Sequence, residues 1–542
     1  MMRMKIGKHL TIFAALSLLS CMVVRGADRL PYLKKQGTAM QLIVDGKPFL
    51  VIGGELRNSS TGSLEYMKPL WNQMAALNLN TVLPVISWEL IEPEEGNYDF
   101  TLVDAMIEGA RAQGLRLIPL WFGTWKNGMS SYVPLWVKED YKRFPRMKVQ
   151  NSESIEIIST FSREALEADA RAFAALMRHI CEVDGKHHTV IMMQVENEVG
   201  VLGDSRDRSE AAIKAFNQPV PQELMDYMNK NKESLIPELK TLWETAGYPS
   251  SGSWAEVFGP GMWTDNVFMA WQYAGYIDKV TAAGKAEYPL PMYVNAWLEL
   301  PGMMKPGRFP SGGPLPRVMD VWKAGAPHID FISPDIYAEN FEDWCNWYTQ
   351  LDNPLFIPEV GRSAESAANL LFAFGNYSTI GTSPFAIDDL DPAEDGPIEK
   401  LYLAMQYLGP EILKHQGREN TMTGFLLDDS RRSIDVQIGD YNVVIELFSH
   451  RGKILVDDAF GLIIKTGDRE FLIAGSRALI SFKSLLSPQD KYGIGKVQEI
   501  VFVNGQWRHG RRLNGDETHR GRAARLPMDE IGIQHVTVYH YK

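Results

Sequence analysis

The stretch 190-VIMMQVENEVG-200 closes an apolar run with Glu196, Asn197 and Glu198. Burying that much polarity is costly unless the groups are paired or used, so the pattern marks a site. Glu359 ends the run 354-PLFIPE-359 in the same way, and Asp335 and Tyr337 close 329-IDFISPDIY-337. Two carboxyl groups brought from separate strands into one cavity are the minimum machinery for cleaving a glycosidic bond. One, kept protonated by its surroundings, donates to the leaving oxygen; the other stays ionised to attack the anomeric carbon or activate water. Asn197 would hydrogen-bond a sugar hydroxyl, and Tyr337 would hold the attacking carboxylate in place. Spacing does not choose between Glu196 and Glu198, which fall on the same face of an ideal strand.

Such groups need a scaffold to position them. Helical patterns at 64–79, 102–114 and 162–180 lead into apolar runs at 81–86, 115–122 and 189–196. Looser repeats follow through 290–297, 329–337, 354–361 and 380–387. Apolar runs without alternation are what strands buried on both faces look like. Helix followed by buried strand, about eight times over, predicts an α/β fold, a (β/α)8 TIM barrel with its chemistry at the C-terminal strand ends. After 419 the period shortens to strands joined by Gly, Asp and Asn turns, which predicts a C-terminal all-β, sandwich-like domain. The expected divisions are a signal peptide over 1–27, the barrel with a short N-terminal β hairpin over 28–418, and the β domain over 419–542.

Composition narrows the function classes. The 542 residues carry a net charge of −12, which argues against nucleic acid as a partner. No Cys/His metal spacing, phosphate-binding loop or serine nucleophile elbow is present, so the sequence calls for no cofactor and no metal. A basic start, the apolar run 10-LTIFAALSLLSCMVV-24 and the small residues of 25-RGAD-28 read as an export leader cleaved near Ala27, with lipidation at Cys21 as the alternative. The mature chain is then a periplasmic or cell-surface protein without a membrane span. Oligomeric state has no signal here. The 14 Trp, 20 Tyr and 23 Phe supply cores and candidate sugar-stacking faces. Trp88, Trp125, Asn127, Trp297 and Tyr337 sit at or just past strand ends and are the expected substrate contacts, together with Asn197.

Three segments carry a family resemblance. The stretch 194-QVENEVG-200 resembles the Q-(I/V)-E-N-E motif of glycoside hydrolase family 35, the retaining beta-galactosidases. The stretches 87-SWELIEPEEGNYDF-100 and 125-WKNGMSSYVPLW-136 are similar to that family's F-W-N-x-H-E-P and W-x-N-G motifs, in the same order. The resemblance implies Glu198 as acid/base and Glu359 as nucleophile, with carboxyl groups roughly 5–5.5 Å apart as in other retaining pairs. Departures bear on sugar choice: Val85 stands where the family commonly has Tyr, Thr124 where it has a sugar-touching Glu, and Ile91 where it has His. The nucleophile segment 356-FIPEVGR-362 and the compact β tail lean toward the related family 42. The implied activity is an exo-acting beta-galactosidase on plant-derived oligosaccharides or polysaccharides. The alternatives are another retaining beta-glycosidase, an arabinopyranosidase or glucosidase, and a non-catalytic sugar-binding barrel. For the β domain, a binding module built on Trp507 and Tyr539 stands against simple packing on the barrel.

Overall fold

The computed structural model describes residues 30–394, 396–450, 453–486 and 489–542. The expected leader, and Cys21 with it, lie outside these residues.

Eight parallel strand positions close on themselves. In chain order they are Val51–Glu55, Thr81–Leu83 with Val85–Ser87, Arg116–Leu117 with Leu120–Lys126, Met193–Asn197, Met292–Trp297, Phe331–Ile336, Phe356–Val360 and Gly381–Pro384. Each pairs in parallel with the next, and the eighth pairs back onto the first through Gly381–Val51 and Thr382–Ile52. The second and third positions are interrupted near Pro84 and Pro119, as expected where a strand residue lacks a ladder N–H. Apolar side chains fill the interior: Val85, Leu120, Phe122, Met192, Tyr293, Phe331 and Phe356 form one buried cluster.

Leu42 and Val44 join that cluster from a three-stranded antiparallel sheet over Tyr32–Gln36, Ala39–Val44 and Lys47–Phe49. The expected N-terminal hairpin is present and turns at Asp45-Gly46, both residues having positive φ. Its hairpin partner is only Lys47–Phe49. The run beyond, Val51–Glu55, is the first barrel strand instead.

The segment 222–247 forms two helices, Gln222–Lys230 and Pro237–Thr245, because Pro237 opens the second. That at 162–180 is one helix, Arg163–Asp184, capped where Ser162 Oγ accepts the Ala165 N–H at 3.1 Å.

The last barrel helix, Pro397–His415, is followed by antiparallel strands from Met422 onward, in sheets of six and four strands. Phe425, Ile473 and Val536 of the larger sheet pack against Ile438, Val443 and Ile480 of the smaller. The other face of the larger sheet docks on the outer helices of the barrel. Phe372 and Leu408 share a buried cluster with Leu462, Leu472 and Ile533. Gly375 and Gly424 make this approach possible, since a Cβ on Gly424 would lie 2.3 Å from the Phe372 carbonyl oxygen. Trp507 packs on Tyr407 of helix Pro397–His415, with ring centroids 5.4 Å apart. Among the described residues no helix is long and apolar enough to cross a membrane.

Candidate active site

The backbone resolves the choice between Glu196 and Glu198. Both have positive φ, 61° and 46°, so the strand is not an ideal two-fold ribbon where they sit. Its register with the third strand also slips. Val195 pairs with Trp121, but Asn197 pairs with Lys126, so one strand advances two residues while its neighbour advances five. The surplus chain carries the amides of Thr124 and Trp125 onto Glu196, whose carboxyl oxygens accept them at 3.0 and 2.7 Å. Gly123 belongs to this loop because a Cβ there would lie 2.6 Å from Glu196 Oε1 and 2.9 Å from Asp169 Oδ1.

Asp169 comes from helix Arg163–Asp184 and accepts from Trp121 Nε1 at 2.9 Å and Thr124 Oγ1 at 2.7 Å. The two acids are hydrogen-bonded to each other, and burial followed by the charge of Asp169 holds Glu196 well above the usual carboxylate range. Glu196 is thus a fully enclosed strut between strand, loop and helix, its charged form disfavoured by burial and by Asp169.

Glu198 points elsewhere. Asn127 Nδ2 donates to its Oε2, and its own N–H donates to Asn295 Oδ1 at 3.0 Å. Asn295, two residues above the interior ring of Tyr293 on the fifth strand, donates through Nδ2 to Asp335 Oδ2 at 2.7 Å. Asp335 is in register with Glu359 across the sixth and seventh strands. Among the described residues Glu198, Asp335 and Glu359 are the one group of acids near enough to surround a cation, with one oxygen of each within 4.8 Å of the others. Asn127 donates to Glu198, Asn295 to Asp335 and Tyr337 to Glu359, while Asp335 Oδ1 and Glu359 Oε2 are buried without a hydrogen-bond partner. Tyr337 Oη donates to Glu359 Oε1 at 2.6 Å.

Burial first, then the neighbouring Glu359 charge, pushes Glu198 up to about 7, while Lys126, Asp335 and Asn127 pull the other way. Burial and the charges of Glu359 and Glu198 hold Asp335 well above its ordinary value. A carboxyl group poised near neutrality beside a second carboxyl can give a proton and take it back.

The expected contacts divide. Asn197 is buried beside Glu198, and neither its amide oxygen nor its nitrogen has a partner. Asn127, Tyr337 and Trp297 keep part of their surface open around the two acids. Trp88 and Trp125 do not, and their assignment to substrate is corrected: both are 0% exposed. Directly after the second strand the chain turns into helix Trp88–Ile91, which tucks Trp88 beneath the loops with its Nε1 on Glu92 Oε2 at 2.7 Å. Trp125 is packed between Tyr273 and Tyr276 and donates to the Ile158 carbonyl.

Glu55, Lys126 and Asn295 join the site without having been singled out by the sequence pattern. Glu55 ends 51-VIGGE-55 with the same signal that marks Glu359, an acid terminating an apolar strand. Asn295 and Lys126 carry a weaker one, a polar residue inside or just after an apolar run.

A parallel barrel that carries paired carboxyl groups on its strand ends has the machinery that glycosidic-bond cleavage needs. Residues 62–274 match the family model Glyco_hydro_42, described as beta-galactosidase. Residues 398–525 match DUF5597, a domain of unknown function. A beta-galactosidase of Xanthomonas manihotis is 29% identical over 181 residues, covering 32% of this chain and 27% of that protein. Beta-galactosidase 8 of Oryza sativa subsp. japonica is 25% identical over 191 residues, 34% of this chain and 26% of that one. The chain thus aligns with about a quarter of the length of these curated relatives. A crystal structure of beta-galactosidase from Bacillus circulans sp. alkalophilus is 14% identical, covering 67% of this chain and 57% of that one with a TM-score of 0.45.

Proposed function

We propose that the protein is a retaining exo-beta-glycosidase, a beta-galactosidase related to families 35 and 42, which releases terminal beta-D-galactose from plant-derived glycans. The observation that carries this reading is the approach of Glu198 and Glu359 oxygens to within 4.8 Å. Retaining pairs stand about 5–5.5 Å apart, whereas inverting pairs leave roughly 6.5–9.5 Å for a water molecule.

In the first step Glu359 attacks the anomeric carbon while Glu198 passes its proton to the departing glycosidic oxygen, leaving a glycosyl ester on Glu359. In the second, Glu198 takes a proton from water, the water oxygen bonds to the anomeric carbon, and the ester bond breaks to free Glu359. Tyr337 holds Glu359 in line by its 2.6 Å hydrogen bond. Asn197, with both amide atoms unpartnered, is suited to a hydroxyl next to the reacting carbon. The leader read from sequence supports export to the periplasm or cell surface, which fractionation of the native host would check.

A second reading, another retaining beta-glycosidase such as an arabinopyranosidase or glucosidase, has one observation in its favour. Thr124 is fully buried and its hydroxyl is engaged by Asp169 and Tyr276, so it takes no part in reading a sugar. Hydrolysis of a panel of p-nitrophenyl beta-glycosides, with proton NMR of the first-formed anomer, tests both readings. Cleavage of the galactoside with retention supports the first. Preference for the glucoside or arabinopyranoside supports the second, and an inverted product overturns the assignment of Glu359 as nucleophile.

A further inference from the structure

Two buried ionisable side chains beside the catalytic acids take no part in the steps above. Glu55 ends the first barrel strand, pairing with Leu83 on one side and bridging to Phe385 on the other. It is 1% exposed, and its carboxyl makes no hydrogen bond to any described residue; Oε1 is wholly enclosed. Lys126 ends the third strand, in register with Asn197, and is 5% exposed. Its ammonium lies 4.9 Å from the centre of the Phe122 ring and forms no ion pair or hydrogen bond with any described residue.

Both groups feel the catalytic acids. After burial, the charge of Glu359 is what most raises Glu55, with Lys126 opposing and Glu198 adding. Lys126 likewise acts on Glu198. They therefore flank the pair from the first and third strands, while the acids themselves come from the fourth and seventh.

Buried polar groups without partners are rare, and a cluster of them in a catalytic cavity is a cluster held for a ligand. An ammonium donates only; a carboxyl held neutral both donates and accepts. That combination matches the hydroxyl groups of a sugar ring. Resting on the glycosidase reading above, we propose that Glu55 and Lys126 are the specificity determinants of the reacting-sugar subsite, each hydrogen-bonding ring hydroxyls of the residue being cleaved. They supply the contact that the enclosed Thr124 cannot make.

A site built to bond a hydroxyl rejects the analogue lacking it far more strongly than an apolar pocket rejects a small change of shape. The test measures kcat/KM for wild type, Glu55→Ala, Glu55→Gln and Lys126→Met on p-nitrophenyl beta-galactoside and its monodeoxy series at positions 2, 3, 4 and 6. Wild type is expected to disfavour one or two deoxy sugars by about 10²- to 10⁴-fold. Lys126→Met and Glu55→Ala should lose activity on the parent sugar yet be nearly indifferent to the loss of one particular hydroxyl. Glu55→Gln, which keeps a donor and an acceptor, should restore much of the discrimination lost in Glu55→Ala.

Equal losses on the parent and on every deoxy sugar, with thermal unfolding unchanged, would overturn the proposal in favour of a purely electrostatic role. If Glu55→Ala unfolds, the Glu55→Gln and Lys126→Met profiles decide between the same two outcomes. Should wild type prefer another beta-glycoside, the deoxy series of that sugar is used, so a wrong sugar identity is separable from a wrong contact. If it cleaves none, calorimetric titration of galactose and its deoxy forms into wild type and variants decides the contact independently of the reaction.

Discussion

Two carboxyl pairs meet on the strand Met193–Asn197, and they solve opposite problems. Glu196 and Asp169 are wrapped by backbone amides, an indole and a hydroxyl until neither has an open face. Glu198 and Glu359 are nearly as buried, at 6% and 8% exposure, yet their partners are side chains at a cavity and Glu359 Oε2 is left unpaired. Both pairs crowd two acids into low dielectric, and both thereby raise a pKa. In the first the acids are sealed from solvent and the pair ties helix to sheet. In the second, Glu359 Oε2 is left without a partner, and on the proposed reading this is where the sugar approaches.

The largest effect should come from breaking the open pair. Glu359→Gln is expected to lower kcat/KM by on the order of 10⁴-fold or more while leaving the melting temperature near that of wild type. A loss under tenfold would mean that another group attacks.

Glu198→Gln should cost about 10²- to 10⁴-fold on substrates with poor leaving groups and far less on activated aryl glycosides. Its pH signature is more specific. Glu198 must be protonated to act, so kcat/KM should fall as pH rises through about 7. In Glu359→Gln the charge that helps raise Glu198 is gone, so carbon-13 NMR of the labelled carboxyl should find it titrating at lower pH. An unmoved titration would show burial alone to be responsible.

The closed pair predicts the reverse pattern. Glu196→Gln keeps a neutral side chain of the same shape and should preserve most activity. Glu196→Leu strands the amides of Thr124 and Trp125 and should lower stability by about 2–5 kcal/mol, read in urea unfolding. If Glu196→Gln were instead as inactive as Glu198→Gln, the two roles would have to be exchanged. A smaller effect than at either acid of the open pair is expected at Tyr337→Phe. Losing one hydrogen bond to Glu359 should reduce kcat about tenfold, corresponding to about 1.4 kcal/mol, with little change in KM.

Much of this is legible in the chain. The succession of helical patterns and unalternating apolar runs announces the barrel, because strands covered on both faces need no polar positions. An acid at the end of such a run announces Glu359, and the same criterion applied to 51-VIGGE-55 announces Glu55. The aromatic residues are harder to read. Trp88, Trp125 and Trp297 all lie at or just past the ends of apolar runs, yet two are core and one is partly open, since the neighbouring elements decide which face a ring presents.

By itself, then, the order of residues determined the barrel, the β domain after it and the strand ends where acids gather, for these follow from periodicity and burial along a local stretch of chain. Tertiary structure alone decided that Glu198 meets Asp335 and Glu359 while Glu196, on the same face of an ideal strand, is sealed against Asp169. That difference rests on two left-handed backbone conformations, a slipped strand register and partners that are 27 to 161 residues distant in the chain. No periodicity records them, because they exist only once neighbouring strands have met.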